Sequence, residues 1–256
     1  MRRMLIAALS ALTLALPLAG PAGAITFGEP DGERHPSVAA ILNDVAFSDG
    51  TWALCSGTLI SPTVVLTAAH CDDERDRVAV TFDSVYDPKK GTEHWGTWHP
   101  HPGFTFSQDD PHDIAVIVLD KPVKGIPPSR LPAADSLSNL SGSQQFTSVG
   151  YGAQSVTQGG GPKVLHFADI RFMAVGTLNS INSAWLRISM NPAKGDGGTC
   201  YGDSGGPNFL GAGATETNVV AATTITGDVW CRSTNVTYRV DTPVAREFLG
   251  QFVTLP

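Results

Sequence analysis

Apolar and polar positions alternate in short runs along the chain, and the runs are rich in β-branched residues. Gly, Pro, Asn and Asp, which favour turns, separate most of the runs, and a helical spacing of apolar residues is rare. Repeated short strands over this length are typical of barrels or sandwiches, so we predict an all-β fold. Six strands are predicted, at residues 37–42, 57–69, 77–82, 113–119, 184–189 and 218–226.

One helix is predicted near the C-terminus, over residues 244–253. Val244, Phe248 and Phe252 are spaced four residues apart there, so that they fall on one face of a helix. We expect this apolar face to pack on the second half of the protein.

A proline-rich segment at residues 120–136 divides the chain in two. It contains four prolines and almost no strand pattern, so we interpret it as a linker between two halves. The chain has 256 residues, which is enough for one large domain or two small ones. We expect an N-terminal half with the linker at residues 25–135, and a C-terminal half with the terminal helix at residues 136–256.

The first 24 residues have the three parts of a secretory signal peptide. Arg2 and Arg3 give a positive start, residues 4–18 form an apolar run, and residues 22–24 match the small-x-small cleavage pattern. The run is shorter than the roughly 20 apolar residues that a membrane span needs. We therefore predict cleavage after Ala24, secretion out of the cell, and no membrane attachment afterwards.

Charge and cysteine content narrow the classes of function. The formal net charge is −7 at pH 7, and an acidic surface repels nucleic acid. The sequence contains no basic cluster, zinc-finger spacing or phosphate-binding loop, so we expect no nucleic-acid partner.

The four cysteines of the sequence permit three pairings. Because none of them forms a Cys-x-x-Cys pair and the secreted protein meets an oxidising compartment, we favour disulfides over a metal site.

The sequence GDSGGP, residues 202–207, surrounds one serine with glycines. A nucleophilic serine needs a hydroxyl presented to a carbonyl carbon, and backbone N–H groups directed at the oxygen that becomes negative. Gly202 can adopt backbone angles that are closed to other residues, so its N–H can lie beside that of Ser204. Taken alone, this motif is equally consistent with a polar turn.

A serine nucleophile also needs a base and an acid that orients the base. His70 ends the sequence LTAAHC, where a β-rich run gives way to two alanines and a cysteine. Asp113 opens a strongly apolar strand, an unfavourable place for a carboxylate unless it is paired. The ordinary alternatives are a structural loop histidine and an aspartate in the turn before a strand.

TAAHC, DIAV and GDSGGP, in the order His70, Asp113, Ser204, resemble the motifs of the chymotrypsin-like (trypsin-fold) serine proteases. The likeness extends to HPGF before the aspartate, to VGYG at residues 149–152 and to TYRV at residues 237–240, and it covers essentially the whole chain after residue 24. The resemblance implies two six-stranded antiparallel β-barrels with a C-terminal helix and a catalytic cleft between the barrels.

The resemblance also implies a secreted serine endopeptidase that acts on proteins or peptides as a monomer, without a cofactor or metal. His70 would act as general base and then acid, Asp113 would orient it, and Ser204 would attack. The N–H groups of Gly202 and Ser204 would form the oxyanion hole. Two alternatives remain open: a binding protein on the same fold that has lost catalysis, and an esterase with the same triad.

Further pairings follow from the resemblance. It implies the disulfides Cys55–Cys71 and Cys200–Cys231. It also implies that the α-ammonium of a new N-terminal isoleucine pairs with Asp203 and orders the oxyanion loop. Cleavage after Ala24 would expose Ile25, so we expect that removal of the signal peptide itself creates the active form. The residues after Ile25 differ from the Val-Gly-Gly that is usual in the family.

Preference for the residue before the cut depends, in the resembling family, on the position six residues before the nucleophile. That position is Gly198 here, where trypsin keeps an aspartate that pairs with Lys or Arg. We therefore predict a preference for apolar or aromatic residues. Asp228 or Asp196 would favour a basic residue if either reached inward, whereas ordinary loop aspartates would be solvated. The predicted pocket residues are Gly198, Thr199, Gly227 and Asn235, and we expect the pocket walls to extend over residues 225–228 and Val236.

Overall fold

The computed structural model describes residues 25–72, 74–107, 109–157 and 162–256. The predicted signal peptide, residues 1–24, lies outside the described residues. Within the described ranges the chain forms fifteen strands and one α-helix, and no helix there is long and apolar enough to span a membrane. A short strand, β1 (Glu29–Pro30), precedes two closed antiparallel barrels and pairs with the second of them.

Six strands close the first barrel in the order β2-β3-β4-β7-β6-β5, and β5 pairs back onto β2. All five residues of β2 are buried, which explains why this stretch is continuously apolar rather than alternating. The strands of the first barrel are β2 (Val38–Leu42), β3 (Ala53–Ser61), β4 (Val64–Thr67), β5 (Arg77–Thr81), β6 (His94–Pro100) and β7 (Ala115–Leu119).

The second barrel also has six strands, and β1 is an additional strand at its edge. Its order is β8-β11-β12-β15-β14-β13, and β13 pairs back onto β8. A separate hairpin is formed by β9 and β10. The strands of this half are β8 (Gln145–Gly150), β9 (Ser155–Thr157), β10 (Val164–His166), β11 (Phe172–Ile181), β12 (Trp185–Ser189), β13 (Pro207–Leu210), β14 (Val220–Gly227) and β15 (Thr234–Arg239). The expected fold of two six-stranded barrels is confirmed.

One predicted strand was too long. Residues 57–69 contain parts of two strands, because the chain turns at Pro62 and Thr63 between β3 and β4. Proline has no N–H to donate to a sheet ladder, which favours a turn at this point. The β pattern ends at Thr67, and Ala69–Cys71 form one turn of 3₁₀ helix.

The terminal helix α1 (Pro243–Leu249) is shorter than the predicted range of residues 244–253. Thr242 caps its N-terminus by accepting a hydrogen bond from Ala245 N, and Gly250 follows its last turn. The apolar face contacts the first half of the chain, in addition to belonging to a core cluster that includes residues of the second half. The Phe248 ring lies 5.1 Å from the ring of His101, between centroids, and that of Phe252 lies 5.4 Å from His99.

A buried arginine joins the two barrels. Arg171 is fully buried, and its Nε donates to Asp31 Oδ2 at 2.7 Å. Its Nη1 donates to the carbonyls of Val38, at the start of β2, and Phe82, just after β5. A single side chain from the second half thus binds the N-terminal segment and two points of the first barrel.

The carboxylate of Asp31 is shared with a histidine. His35 Nδ1 is hydrogen-bonded to Asp31 Oδ1, and its Nε2 lies 2.7 Å from Glu216 Oε1 of the second half. The ring stacks on Phe209 with 5.2 Å between centroids. Burial opposes the charge of His35, but the bonds to Asp31 and Glu216 more than offset burial and raise its pKa to about 9. With Arg171, these groups form a buried junction of two cations and two anions.

Candidate active site

His70 and Asp113 are brought together by two paired strands. The strands β4 and β7 are antiparallel neighbours, with Thr67 opposite Ala115. His70 follows the end of β4 in the 3₁₀ turn, and Asp113 lies just before the start of β7, so the two side chains meet at the same barrel edge. The sheet register therefore determines their proximity.

The Asp113 carboxylate holds His70 at two points. Oδ2 lies 2.7 Å from the ring Nδ1, and Oδ1 accepts a hydrogen bond from the His70 backbone N at 3.0 Å. Asp113 is only 6% exposed, so water competes little for these bonds. This arrangement favours the tautomer with the proton on Nδ1, which leaves Nε2 as a hydrogen-bond acceptor.

Ser204 lies in a tight turn that packs directly on the first barrel. The backbone N of Ser56, in β3, donates to the Ser204 carbonyl at 2.8 Å. Gly205, the next residue, has φ +77°, and a Cβ at this position would overlap Thr67 Oγ1 and the Ser56 carbonyl. A glycine is therefore required here by both backbone angle and close approach.

All three predicted triad residues line one cleft of about 560 Å³ between the barrels. His70 and Asp113 come from the first barrel and Ser204 from the second. Within the described part of the chain, the Ser204 hydroxyl makes no hydrogen bond, to His70 or to any other group. The structure thus joins Asp113 to His70 and places Ser204 in the same cleft.

The backbone before Ser204 presents two free N–H groups. Gly202 has φ +92°, and a Cβ there would lie 3.0 Å from Gly152 Cα. Neither the N–H of Gly202 nor that of Ser204 has an acceptor among the described residues. The Gly202 carbonyl, in contrast, accepts from Ser56 Oγ at 3.1 Å. The Ser56 hydroxyl therefore holds the Gly202 carbonyl, and both N–H groups remain available.

Asp203 is a fully buried carboxylate without a cationic partner among the described residues. Its two oxygens accept hydrogen bonds from the backbone N of Gly152 and of Cys200, each at 2.8 Å. Burial raises the pKa of Asp203 to about 7, against the lowering effect of these two bonds. A nearby positive charge would stabilise the ionised form of a carboxylate buried in this way.

Ile25 is the first described residue, and its side chain is completely buried beside Phe172 and Ala174. The next residue, Thr26, forms an antiparallel bridge with Gly198. No hydrogen bond or ion pair joins Ile25 to Asp203 in the described part of the chain. The φ of Ile25 is +54°, a left-handed conformation that is unfavourable for a β-branched residue.

Two disulfides hold the segments of the cleft. Cys55–Cys71 ties β3 to the 3₁₀ turn that carries His70. Cys200–Cys231 ties the segment before Ser204 to the loop after β14. Both bridges therefore restrain the backbone within a few residues of the predicted base or nucleophile.

Two of the four predicted pocket residues line the cleft, namely Thr199 and Gly227. Gly198 does not, because the Met190 side chain packs directly against it, where a Cβ would overlap Cγ and Sδ of Met190. Asn235 does not either, since it is buried inside the barrel, where its Nδ2 donates to Asn208 Oδ1 at 2.9 Å.

Of the two aspartates that would favour a basic residue, Asp228 lines the cleft and Asp196 does not, and both carboxylates already accept hydrogen bonds from neighbouring groups. The Asp228 carboxylate accepts hydrogen bonds from the backbone N of Ser233 at 2.7 Å and of Thr234 at 2.9 Å. Burial opposes its charge, but these and neighbouring N–H bonds hold the pKa of Asp228 below its usual value. Asp196 is buried, and its Oδ1 accepts from Thr177 Oγ1 at 2.9 Å.

Aromatic side chains and one arginine complete the cleft, and none of them was predicted to line it. Phe106 is 84% exposed on one rim, and its ring lies 5.1 Å from that of Phe104. Trp185 and Arg187 line the cleft from β12. Strand alternation was the available signal, because Trp185 and Arg187 share one face while Leu186 and Ile188 are buried on the other.

Histidines elsewhere in the first barrel do not assemble a metal site within the described ranges, where no group of three or more His, Cys, Asp or Glu is placed to hold a metal ion. His101 instead lies 4.7 Å from His112, between ring centroids, and packs on the terminal helix.

Comparison with known proteins gives matches over most of the chain. A family model described as Trypsin matches residues 33–249. The venom plasminogen activator LV-PA of Lachesis muta muta is 31% identical over 214 residues, which cover 77% of this chain and 76% of the relative. The platelet-aggregating proteinase PA-BJ of Bothrops jararaca is 34% identical over 185 residues, 68% and 73% of the two chains. Glandular kallikrein of Sus scrofa is 26% identical over 205 residues, 70% and 77%.

Proposed function

Because this chain belongs to the trypsin family of serine proteases, we propose that it cleaves peptide bonds with a triad of Ser204, His70 and Asp113 through an acyl-enzyme. That the protein is a serine endopeptidase acting on proteins or peptides follows from the family. The proposal concerns the residues that carry the reaction and the order of its steps.

The observation that carries the proposal is the double contact between Asp113 and His70. The bond to Nδ1 sets the tautomer, and the bond to the backbone N fixes the carboxylate relative to the turn that holds the ring. Nε2 is then free to take the Ser204 proton in the cleft that both residues line. The ionised carboxylate stabilises the imidazolium that forms.

The reaction then has two halves. In the first, Ser204 Oγ attacks the peptide carbonyl, His70 takes its proton, and the amine leaves with that proton. In the second, His70 activates a water molecule, which hydrolyses the ester and regenerates Ser204. The N–H groups of Gly202 and Ser204 stabilise the tetrahedral oxyanion in both halves, and each donor contributes about 3 kcal/mol in related chemistry.

The mature N-terminus is part of the same proposal. Cleavage after Ala24 gives Ile25 an α-ammonium, which pairs with Asp203 and orders the Gly202 peptide. The buried Ile25 side chain, the bridge between Thr26 and Gly198, and the unpaired buried carboxylate support this. Cleavage also removes the restriction on φ of Ile25, because an N-terminal residue has no preceding peptide group.

We further propose that the enzyme prefers an apolar residue before the cut. Ile225, Val236 and Thr199 line the pocket, and Gly227, which has no side chain, leaves its entrance open. No carboxylate is free there to bind Lys or Arg, since Asp228 is bound by its own loop. A venom protein among the relatives supports an extracellular location, in agreement with the predicted signal peptide.

Covalent labelling tests the proposed chemistry. An organophosphonate or sulfonyl fluoride should modify the wild-type protein at Ser204 and abolish hydrolysis of a peptide amide. Ser204→Ala should remove both labelling and hydrolysis. A folded Ser204→Ala variant that still hydrolyses peptides, or a wild type that cannot be labelled, would exclude this triad. A catalytically inactive binding protein would not be labelled. An esterase would be labelled but would cleave esters only.

A further inference from the structure

Arg187 is a cation without an anionic partner in the cleft. Its guanidinium lies over the Trp185 ring, with 5.3 Å between Cζ and the ring centroid. Within the described part of the chain it makes no hydrogen bond and no ion pair. The buried arginines differ in this respect, since Arg171 pairs with Asp31 and Arg239 pairs with Asp241. Arg187 is therefore held in place by stacking, with its hydrogen-bond donors unused.

The strand register places Arg187 beside the main pocket. Arg187 lies opposite Val236 in the β12–β15 pair, and Val236 lies opposite Thr226 in the β15–β14 pair. All three residues line the cleft. Neighbouring strands are about 4.8 Å apart, so this row leads from the pocket to Arg187 over two strand spacings.

The other charged groups of the cleft cannot satisfy Arg187. The Asp113 carboxylate is bound to His70, and that of Asp228 accepts N–H groups of its own loop. A guanidinium binds a carboxylate through two parallel hydrogen bonds, and stacking on an aromatic ring keeps its plane available for this. The ring of Trp185 lowers the local polarity beside the guanidinium, which strengthens such a pair.

We propose that Arg187 selects substrates that carry Asp or Glu within four residues on the N-terminal side of the cut bond. This rests on the proposed function, which places the residue before the cut in the pocket beside Thr226 and Val236. Gly205, next to Ser204, donates its N–H to the Thr224 carbonyl on the β13 side of β14, so β15 and β12 lie on the side away from Ser204. In this proposal the peptide that continues N-terminally from the residue before the cut runs along that side. Arg187 lies one strand beyond Val236 on that side, so a carboxylate of the passing peptide reaches it.

Matched peptide amides test the inference. Each pair has the same apolar residue before the cut and differs only by Glu or Gln at the second, third or fourth residue before it. The wild-type enzyme should show a kcat/KM for the Glu peptide that is about threefold to tenfold higher at one of these positions. Raising the salt from about 0.05 M to about 0.5 M should reduce this ratio, because the pair is partly exposed.

Variants assign the effect to one side chain. Arg187→Gln should bring the Glu/Gln ratio to about one, and Arg187→Glu should favour Lys at the same position. Arg130→Gln is the matched control, since it removes one charge from an exposed residue outside the cleft, and its ratio should equal that of the wild type. Both kcat/KM values of a Glu/Gln ratio are measured on the same enzyme preparation. Inactive enzyme lowers both values equally and does not change their ratio.

The outcomes separate the inference from the proposed function. A wild-type ratio of one, a ratio unchanged in Arg187→Gln, or a Glu preference only on the C-terminal side of the cut would overturn the role of Arg187 and leave the triad intact. Failure to hydrolyse any of the peptides, together with failure to label Ser204, would overturn the proposed function instead.

Discussion

Asp113 contacts both the ring and the main chain of His70, with 2.7 Å from Oδ2 to Nδ1 and 3.0 Å from Oδ1 to the backbone N. The two bonds come from one buried carboxylate, so the position and the tautomer of the ring are set together. A change that keeps the shape of Asp113 but removes its charge separates these two effects.

We expect Asp113→Asn to fold normally and to lose activity by about 10³-fold to 10⁴-fold in kcat. The amide can still fill the site, but its NH₂ group favours the wrong tautomer of His70 and does not stabilise the imidazolium. Peptide-amide kinetics and the thermal unfolding midpoint measure the two properties. Asp109→Asn, at an exposed loop position, is the control and should retain full activity. Equal kcat values in wild type and Asp113→Asn would contradict the assigned role.

Gly205→Ala should destabilise the fold and lower the fraction of molecules that have a competent active site. An added Cβ would overlap Thr67 Oγ1 and the Ser56 carbonyl, in a backbone conformation with φ +77°. The expected loss is about 2 kcal/mol or more of unfolding free energy. Gly213→Ala has φ +53° and nothing within 4 Å of the new atom, so it should lose only about 1 kcal/mol. Similar losses for both variants in urea unfolding would show that the close approach is unimportant.

Stability should fall as the pH rises from about 6.5 to about 9. Asp31 and Glu216 raise the pKa of His35 from 6.5 to about 9 in the folded protein. Below pH 6.5, the pKa of the unfolded state, the protonated ring therefore contributes its full stabilisation. This contribution disappears as the pH passes the folded pKa. Thermal unfolding between pH 6 and pH 10 should show the decline, and His35→Gln should flatten it. The exposed His166→Gln variant should keep the wild-type slope, and a slope that survives in His35→Gln would assign the decline to another group.

Activity should require a free α-amino group on Ile25. Breaking a buried ion pair costs about 3–5 kcal/mol, so Asp203→Asn or one extra residue before Ile25 should lower kcat/KM by about 100-fold or more. N-terminal sequencing of the secreted protein, combined with an active-site titration, measures processing and competence together. A mature enzyme that starts several residues away from Ile25 and is fully active would refute the proposed activation.

Val236→Gly should shift the preference for the residue before the cut towards larger apolar side chains. Val236 lines the cleft opposite Thr226, and its removal deepens the space by the volume of its side chain. One or two methylene groups in an apolar pocket change kcat/KM by about tenfold. The measurement is a panel of peptide amides that differ only at this residue. Val45→Gly, at an exposed position, is the control. Cleavage confined to Lys and Arg would contradict the apolar pocket.

The strands predicted from the sequence are ones in which apolar residues run together, although β11, which begins with the apolar run FMAV, was missed. β2 and β7 are almost continuously apolar and were predicted within two residues. β6, with the sequence HWGTWHP, and β15, with TNVTYR, have polar positions throughout and were missed. Their residues pair with neighbours that are distant in sequence, and this pairing outweighs their weak local pattern.

The same limit applies to the cleft. His70, Asp113 and Ser204 lie in local motifs, so each position could be read from a few neighbouring letters. Asn235 and Val236 were both predicted to line the pocket, but only Val236 does so, because consecutive side chains of a strand point to opposite faces. Alternation along β12 puts Trp185 and Arg187 on one face, but the sequence contains no signal that this face borders the cleft, because that depends on the pairing of β12 with β15.

The junction around Arg171 has a consequence for the lifetime of the enzyme. An endopeptidase meets other copies of itself in solution, and those copies are potential substrates. A segment is cleaved more readily when it leaves the fold and becomes extended. While Arg171 holds the N-terminal segment and the carbonyls of Val38 and Phe82, these strands remain inside paired barrels. We expect that disrupting these contacts exposes the strands to cleavage by neighbouring molecules, and that this exposure increases above the pH at which His35 loses its proton.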